Sequence, residues 1–142
     1  MTTTSVLREH WSDKYVGKPY VAEVYDCGEM AREVLQREFH RIVLIPSYRN
    51  YAGKEGRQKI KAVAKQILHE RDRVGYRTSD PTDGDGVLMF SGSKMMHVGI
   101  YCIINGEPWV LHCAERPAQV IKTRVRELEP RGFKLEGYYK WK

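Results

Sequence analysis

Three residues far apart along the chain carry the side chains that acyl transfer needs: Cys27, His97 and His112. A cysteine attacks a carbonyl as thiolate, so it needs a base within reach. Imidazole is the usual base, and a polar group on its second nitrogen fixes the tautomer. Asp26 precedes Cys27 and is a preferred helix N-cap, and Glu29 stands three residues later, as in a capping box. This pattern predicts a helix that begins at Cys27, where free N–H groups and the helix dipole favour a negative sulfur. The Asp26 carboxylate opposes that effect. Taken singly, a cysteine on an apolar helix face is small core filler, and a histidine in an apolar strand is a hydrogen-bonded core residue. Two histidines converging on one sheet face fit that account less well, because burying imidazoles without partners is costly.

Those side chains have to be carried by defined elements. After Asp26, Cys27, Met30, Ala31, Val34 and Leu35 make the i, i+3, i+4, i+7, i+8 stripe of an amphipathic helix. Ile60, Val63, Ala64, Ile67 and Leu68 make a second stripe, predicting a helix over roughly Glu55 to Arg73 with a basic outer face. IPSYRNYAGKEG, between them, is a loop punctuated by Pro46, Gly53 and Gly56. From Asp80 the pattern changes. TSDPTDGDG is a turn cluster, followed by strands at Val87 to Phe90, His97 to Ile104, Trp109 to Cys113, Gln119 to Arg124 and Tyr138 to Trp141. Helices first and strands later, without βαβ alternation, predict an α+β domain: N-terminal helices packed on an antiparallel sheet. The 142 residues suit one domain, 1–142.

Asn105-Gly106 between two apolar runs is the strongest short hairpin signal. With those two residues as the loop, Ile104 pairs with Glu107, and counting inward sets Gly99 opposite His112 and His97 opposite Ala114. Side chains alternate, so His97, Gly99, Tyr101 and His112 share a face, with the two imidazoles as diagonal neighbours. Cys102 then faces the other way, as core filler. A three-residue loop would send one histidine to the opposite face.

Composition excludes several classes. Apolar residues at 42% and charged residues at 30% describe a globular chain rather than a disordered one. No apolar run approaches the roughly eighteen residues of a membrane span. MTTTSVLREHWSDKY has no basic region followed by an apolar stretch, so no signal peptide is expected and the chain is made in the cytoplasm. Three cysteines without CxxC spacing do not make a disulfide framework or a zinc ribbon. The net charge of +6 is concentrated between Arg32 and Arg77, where twelve basic residues face five acidic ones. Such a surface attracts anionic polymers in general, and no nucleic-acid motif accompanies it. Asp83-Gly84-Asp85-Gly86 lacks the further ligands of a calcium loop and is read as a turn. His112 and Cys113, adjacent in a strand, point to opposite faces, which argues against a zinc site. No metal and no cofactor is expected.

VGKPYVAEVYDCGEMAREVLQ, DGDGVLMF and HVGIYCIINGEPWVLHCAE together resemble the NlpC/P60 cysteine peptidases in order and spacing, closest to the subgroup in bacteriophage tail-tip proteins. HVGIY followed by LH one strand later is the most specific piece. The resemblance runs from about Val16 to Ala114. It implies a papain-like fold, with Cys27 as nucleophile, His97 as base and His112 as the orienting third residue. It implies also that Tyr20 lines the oxyanion site, with Asp26 and Gly28 beside the nucleophile. The substrates it implies are peptidoglycan stem peptides, cleaved by a chain carried in a phage tail or similar delivery machine and acting in the periplasm beside other tail proteins. The chain departs from the family's DCSG: Gly28 and Glu29 follow Cys27 here, and AEV replaces the glycines that usually precede the motif. That departure favours a competing expectation, a catalytically inactive structural or docking component with the same fold.

Overall fold

The computed structural model describes residues 10–21, 24–45, 65, 69–91 and 95–142. A 3-10 turn at Trp11–Tyr15 leads to helix α1, Cys27–Phe39. Six strands follow: β1 Gly75–Thr78, β2 Gly86–Ser91, β3 Met95–Ile104, β4 Glu107–Ala114, β5 Gln119–Arg124 and β6 Phe133–Trp141. They form one antiparallel sheet in the order β1-β6-β2-β3-β4-β5. The fold is α+β. The predicted second helix lies mostly outside the described residues, although 69–74 are helical. Among the described residues, no helix is long and apolar enough to cross a membrane.

Helix α1 starts where its cap dictates. Asp26 is extended, and its carboxylate accepts from the Glu29 N–H at 3.0 Å. At the other end His40 adopts the left-handed conformation, and its N–H bonds back to the Leu35 carbonyl. The stripe of Met30, Ala31, Val34 and Leu35 is fully buried. It packs on one face of the sheet against Leu88, Val98, Ile100, Cys102, Leu111 and Cys113. The alternate residues make a second, smaller core on the other face: Val87, Met89, Tyr101 and Val110. That core is closed by Leu128, between two 3-10 turns at Val125–Glu127 and Glu129–Arg131, with Phe133 and Tyr138 from β6.

Four strands lie where the sequence predicts them, within two residues at each end. Two features differ. Gly75–Thr78 is a strand at the sheet's edge, paired among the described residues with β6. It is too short and too exposed to show an apolar alternation. Strand β6 begins at Phe133, five residues before the predicted Tyr138, because its first half alternates weakly between half-buried and exposed positions.

Candidate active site

Strands β3 and β4 form the hairpin that the Asn105-Gly106 signal predicts. Both turn residues have positive φ, 53° and 77°, the requirement of a type I′ turn. Ile104 pairs with Glu107, and the register runs inward to Ile100 opposite Leu111. There the hairpin pairing ends, whereas β3 stays paired with β2 as far as Met95. His97 and Val98 thus lie where the two strands of the hairpin part.

Beyond that point the two imidazoles meet. His97 Nε2 is 2.8 Å from His112 Nδ1, with the ring planes at 80°. Both residues are buried, His112 completely. The contact continues into β5, where His112 Nε2 lies 2.9 Å from the Thr123 hydroxyl. Phe133 covers the pair, stacked on His97 with centroids 5.1 Å apart and edge-on to His112 at 4.9 Å. Burial pushes the His97 imidazole down to about 4, and burial together with neighbouring His97 pushes His112 well below its ordinary value. Both rings are therefore neutral at pH 7.

Cys27 is the first residue of α1 and is partly exposed. The backbone N–H groups of Val98 and Gly28 face its sulfur. The nucleophile candidate thus meets the β3 backbone at Val98, whose side chain packs on the α1 face. His97 lies with His112 and Phe133 on the opposite face, and among the described residues no bond joins the Cys27 sulfur to either imidazole. The thiol does not gain the low pKa expected from a helix start. Burial pushes it up to about 12, the Asp26 carboxylate adds to the rise, and the two N–H groups only partly offset them. In this surrounding the desolvation of a lone thiolate outweighs the dipole.

Tyr20 is held by its N–H bond to the Ala118 carbonyl at 2.9 Å and by the bridge between Pro19 and Gln119. It packs against the same core as Cys27. Its phenol is pushed up to about 12 by burial first, and then by Glu115, Asp26 and Cys27, so it stays a hydrogen-bond donor at neutral pH. Asp26 is buried and acts as the cap, and Gly28 is buried in the first turn of α1. The other two cysteines lie in the helix-side core, Cys102 with its thiol toward the Ile100 carbonyl and Cys113 toward the Tyr25 carbonyl. Asp83 and Asp85 are occupied within the protein. Asp83 accepts from the Ile103 N–H at 2.7 Å, and Asp85 from Thr82 N–H and Lys140, each at 2.7 Å.

Sequence reading misses Thr123 and Phe133. Thr123 lies in a strand predicted with its true limits, two residues beyond Ile121, which pairs with His112. Reaching it by counting requires the geometry of the β4–β5 turn, where Ala118 has φ 69°. Phe133 belongs to the half of β6 that the apolar pattern leaves unmarked.

No family model matches this chain, and no curated protein matches it significantly.

Proposed function

We propose that this chain is a papain-like cysteine hydrolase of the NlpC/P60 type that cleaves peptide bonds in peptidoglycan stems. The observation that carries the reading is the 2.8 Å contact between His97 Nε2 and His112 Nδ1, at the strand position whose next N–H faces the Cys27 sulfur. Two buried imidazoles in series with a hydroxyl form a proton-handling chain that apolar residues would replace more cheaply if packing were its only purpose. The substrate class comes from the resemblance of the DCGE, HVGIY and LH segments, as does carriage in a phage tail that delivers the chain to the periplasm.

His97 uses Nε2 on His112, so Nδ1 is the nitrogen left over, and the reading requires the Cys27 thiol to come within reach of it. The Cys27 proton passes to His97 as sulfur adds to the amide carbonyl. Formation of the carbon–sulfur bond and transfer of the proton are coupled, because neither a lone thiolate nor a lone imidazolium is stable in this surrounding. Backbone N–H groups at the start of α1 and the Tyr20 phenol donate to the oxyanion. Collapse breaks the carbon–nitrogen bond, and His97 returns the proton to the leaving amine. The thioester is then hydrolysed by water that His97 deprotonates, which regenerates the thiol.

Mass analysis of purified muropeptides after incubation tests the reading. The wild-type chain is expected to yield split stem peptides, and Cys27→Ala, with the fold intact by circular dichroism, none. Turnover by Cys27→Ala would remove Cys27 as nucleophile. One observation favours the competing reading of an inactive docking component, namely the raised Cys27 pKa. Absence of cleavage by the wild-type chain, alone and with assembled tails, would support that reading instead.

A further inference from the structure

The imidazole chain ends on a hydroxyl, and that end decides which nitrogen of His97 can accept a proton. Two proton arrangements satisfy the contacts His97 Nε2–His112 Nδ1 at 2.8 Å and His112 Nε2–Thr123 Oγ1 at 2.9 Å. In the first, Thr123 accepts from His112 Nε2–H, His112 Nδ1 accepts from His97 Nε2–H, and His97 Nδ1 is a bare lone pair. In the second every proton is reversed: Thr123 donates to His112, His112 Nδ1–H donates to His97, and His97 Nδ1 carries a proton. Only the first leaves a base for a thiol. It also places both rings in the Nε2–H tautomer, which neutral histidine side chains intrinsically favour.

We infer that Thr123 is a positioning residue whose oxygen permits the Nε2–H tautomer of both histidines, and through them leaves His97 Nδ1 free to act as the base. The functional half of this inference rests on the hydrolase reading; the tautomer half does not. His112 and Thr123 are buried, at 0% and 2% exposure, so water does not readily replace either partner. Without the Thr123 oxygen, a proton on His112 Nε2 becomes a buried donor with no acceptor, which folded proteins rarely tolerate. The relief available is to move that proton to Nδ1, where it finds His97 Nε2. The second arrangement follows, and the proton displaced from His97 Nε2 resides on Nδ1. Thr123 thus touches no reacting atom, yet without its oxygen the arrangement that leaves a base is lost. Its partner in the chain of contacts, His112, transmits the choice across the sheet face between β5 and β3.

Long-range proton–nitrogen spectra of the full chain labelled with 15N-histidine read the tautomers directly, and cleavage rates are measured on the same samples. The wild type is expected to show Nε2–H on both rings. Thr123→Val, close in volume but without the acceptor, is expected to show Nδ1–H on both and a cleavage rate lower on the order of 10²-fold, the usual share of a general base. Thr123→Ser is expected to keep the wild-type tautomers and most of the rate. A wild type with Nδ1–H on His97 overturns the inference, as does an unchanged tautomer pattern in Thr123→Val. If Thr123→Val does not fold, Thr123→Ala, which also lacks the oxygen, takes its place with the same expected and the same overturning spectra. Spectra that behave as expected in a chain without cleavage activity support the tautomer role and count against the hydrolase reading alone.

Discussion

The Cβ that Gly99 lacks would lie 3.2 Å from the Cβ of His112 and 2.5 Å from Val110 Cγ1. The bare backbone at this position lets β4 carry His112 close over β3, and so lets its ring reach His97. Gly99→Ala forces Val110 or the strand itself to move, and the Leu111 carbonyl at 3.0 Å limits how far. Overpacking of this kind costs about 1–3 kcal/mol. The expected result is a lower urea midpoint together with loss of the His97–His112 contact, read as changed histidine nitrogen shifts. Unchanged stability and unchanged shifts would mean that the hairpin has room to spare here.

The histidine pair is legible in the sequence because a two-residue turn leaves no freedom in the count: once Asn105-Gly106 is the loop, alternation alone brings His97 and His112 to one face. The start of α1 is legible for a similar local reason, since Asp26 caps from its own side chain. What is hidden depends on longer paths. Thr123 reaches His112 only through a turn whose shape has no sequence signature, and Phe133 reaches both rings from the far end of the chain. The edge strand Gly75–Thr78 is specified by its partner β6 more than by its own pattern. The charge state of Cys27 is hidden as well. Cap and dipole can be read from spacing, but the burial that outweighs them is a property of the packed sheet.

Stability is expected to fall with pH earlier than carboxylates alone would cause. His97 takes a proton near 6.5 when unfolded and only near 4 when folded, because burial disfavours the imidazolium. The unfolded chain therefore binds more protons between those values. The stabilisation from a neutral His97 is complete above pH 6.5 and is lost as pH falls toward 4, in total about 3 kcal/mol. His112 acts in the same direction. The carboxylates of Asp13, Glu33 and Glu38 are held below their ordinary values, so their contribution is lost at lower pH. Urea titrations at steps between pH 7.5 and 4.5 check this, with His97→Gln expected to flatten the slope. A slope that His97→Gln leaves as steep would assign the loss to other groups.

Asp26 does two things that separate substitutions can resolve. Its carboxylate caps α1 through the Glu29 N–H, and its charge raises the Cys27 thiol after burial has done so. Asparagine caps about as well as aspartate and carries no charge. Asp26→Asn is thus expected to leave the thermal midpoint nearly unchanged while shifting iodoacetamide labelling of Cys27, followed by peptide mapping, to lower pH. Asp26→Ala also removes the charge but loses the cap, at about 1 kcal/mol. A labelling profile that Asp26→Asn does not move would show that the sulfur is screened from its neighbour.

The pH dependence of cleavage distinguishes a buried base from an open one. In the proposed mechanism His97 must be neutral before it takes the Cys27 proton, and the thiol must still hold that proton. His97 is neutral down to about pH 4 and the thiol protonated up to about 12, so both conditions are met across the neutral range. The rate kcat/KM reports groups on the free enzyme, and its acid limb is expected near pH 4 instead of the 6.5 of an exposed imidazole. Circular dichroism at each pH separates this limb from unfolding, which the stability argument places in the same direction. Phe133→Ala opens the cover over both rings. Better solvation of the imidazolium then moves the acid limb upward, toward 6.5. A wild-type limb already at 6.5, or one that Phe133→Ala does not move, would mean that the proton acceptor is some group other than the covered His97.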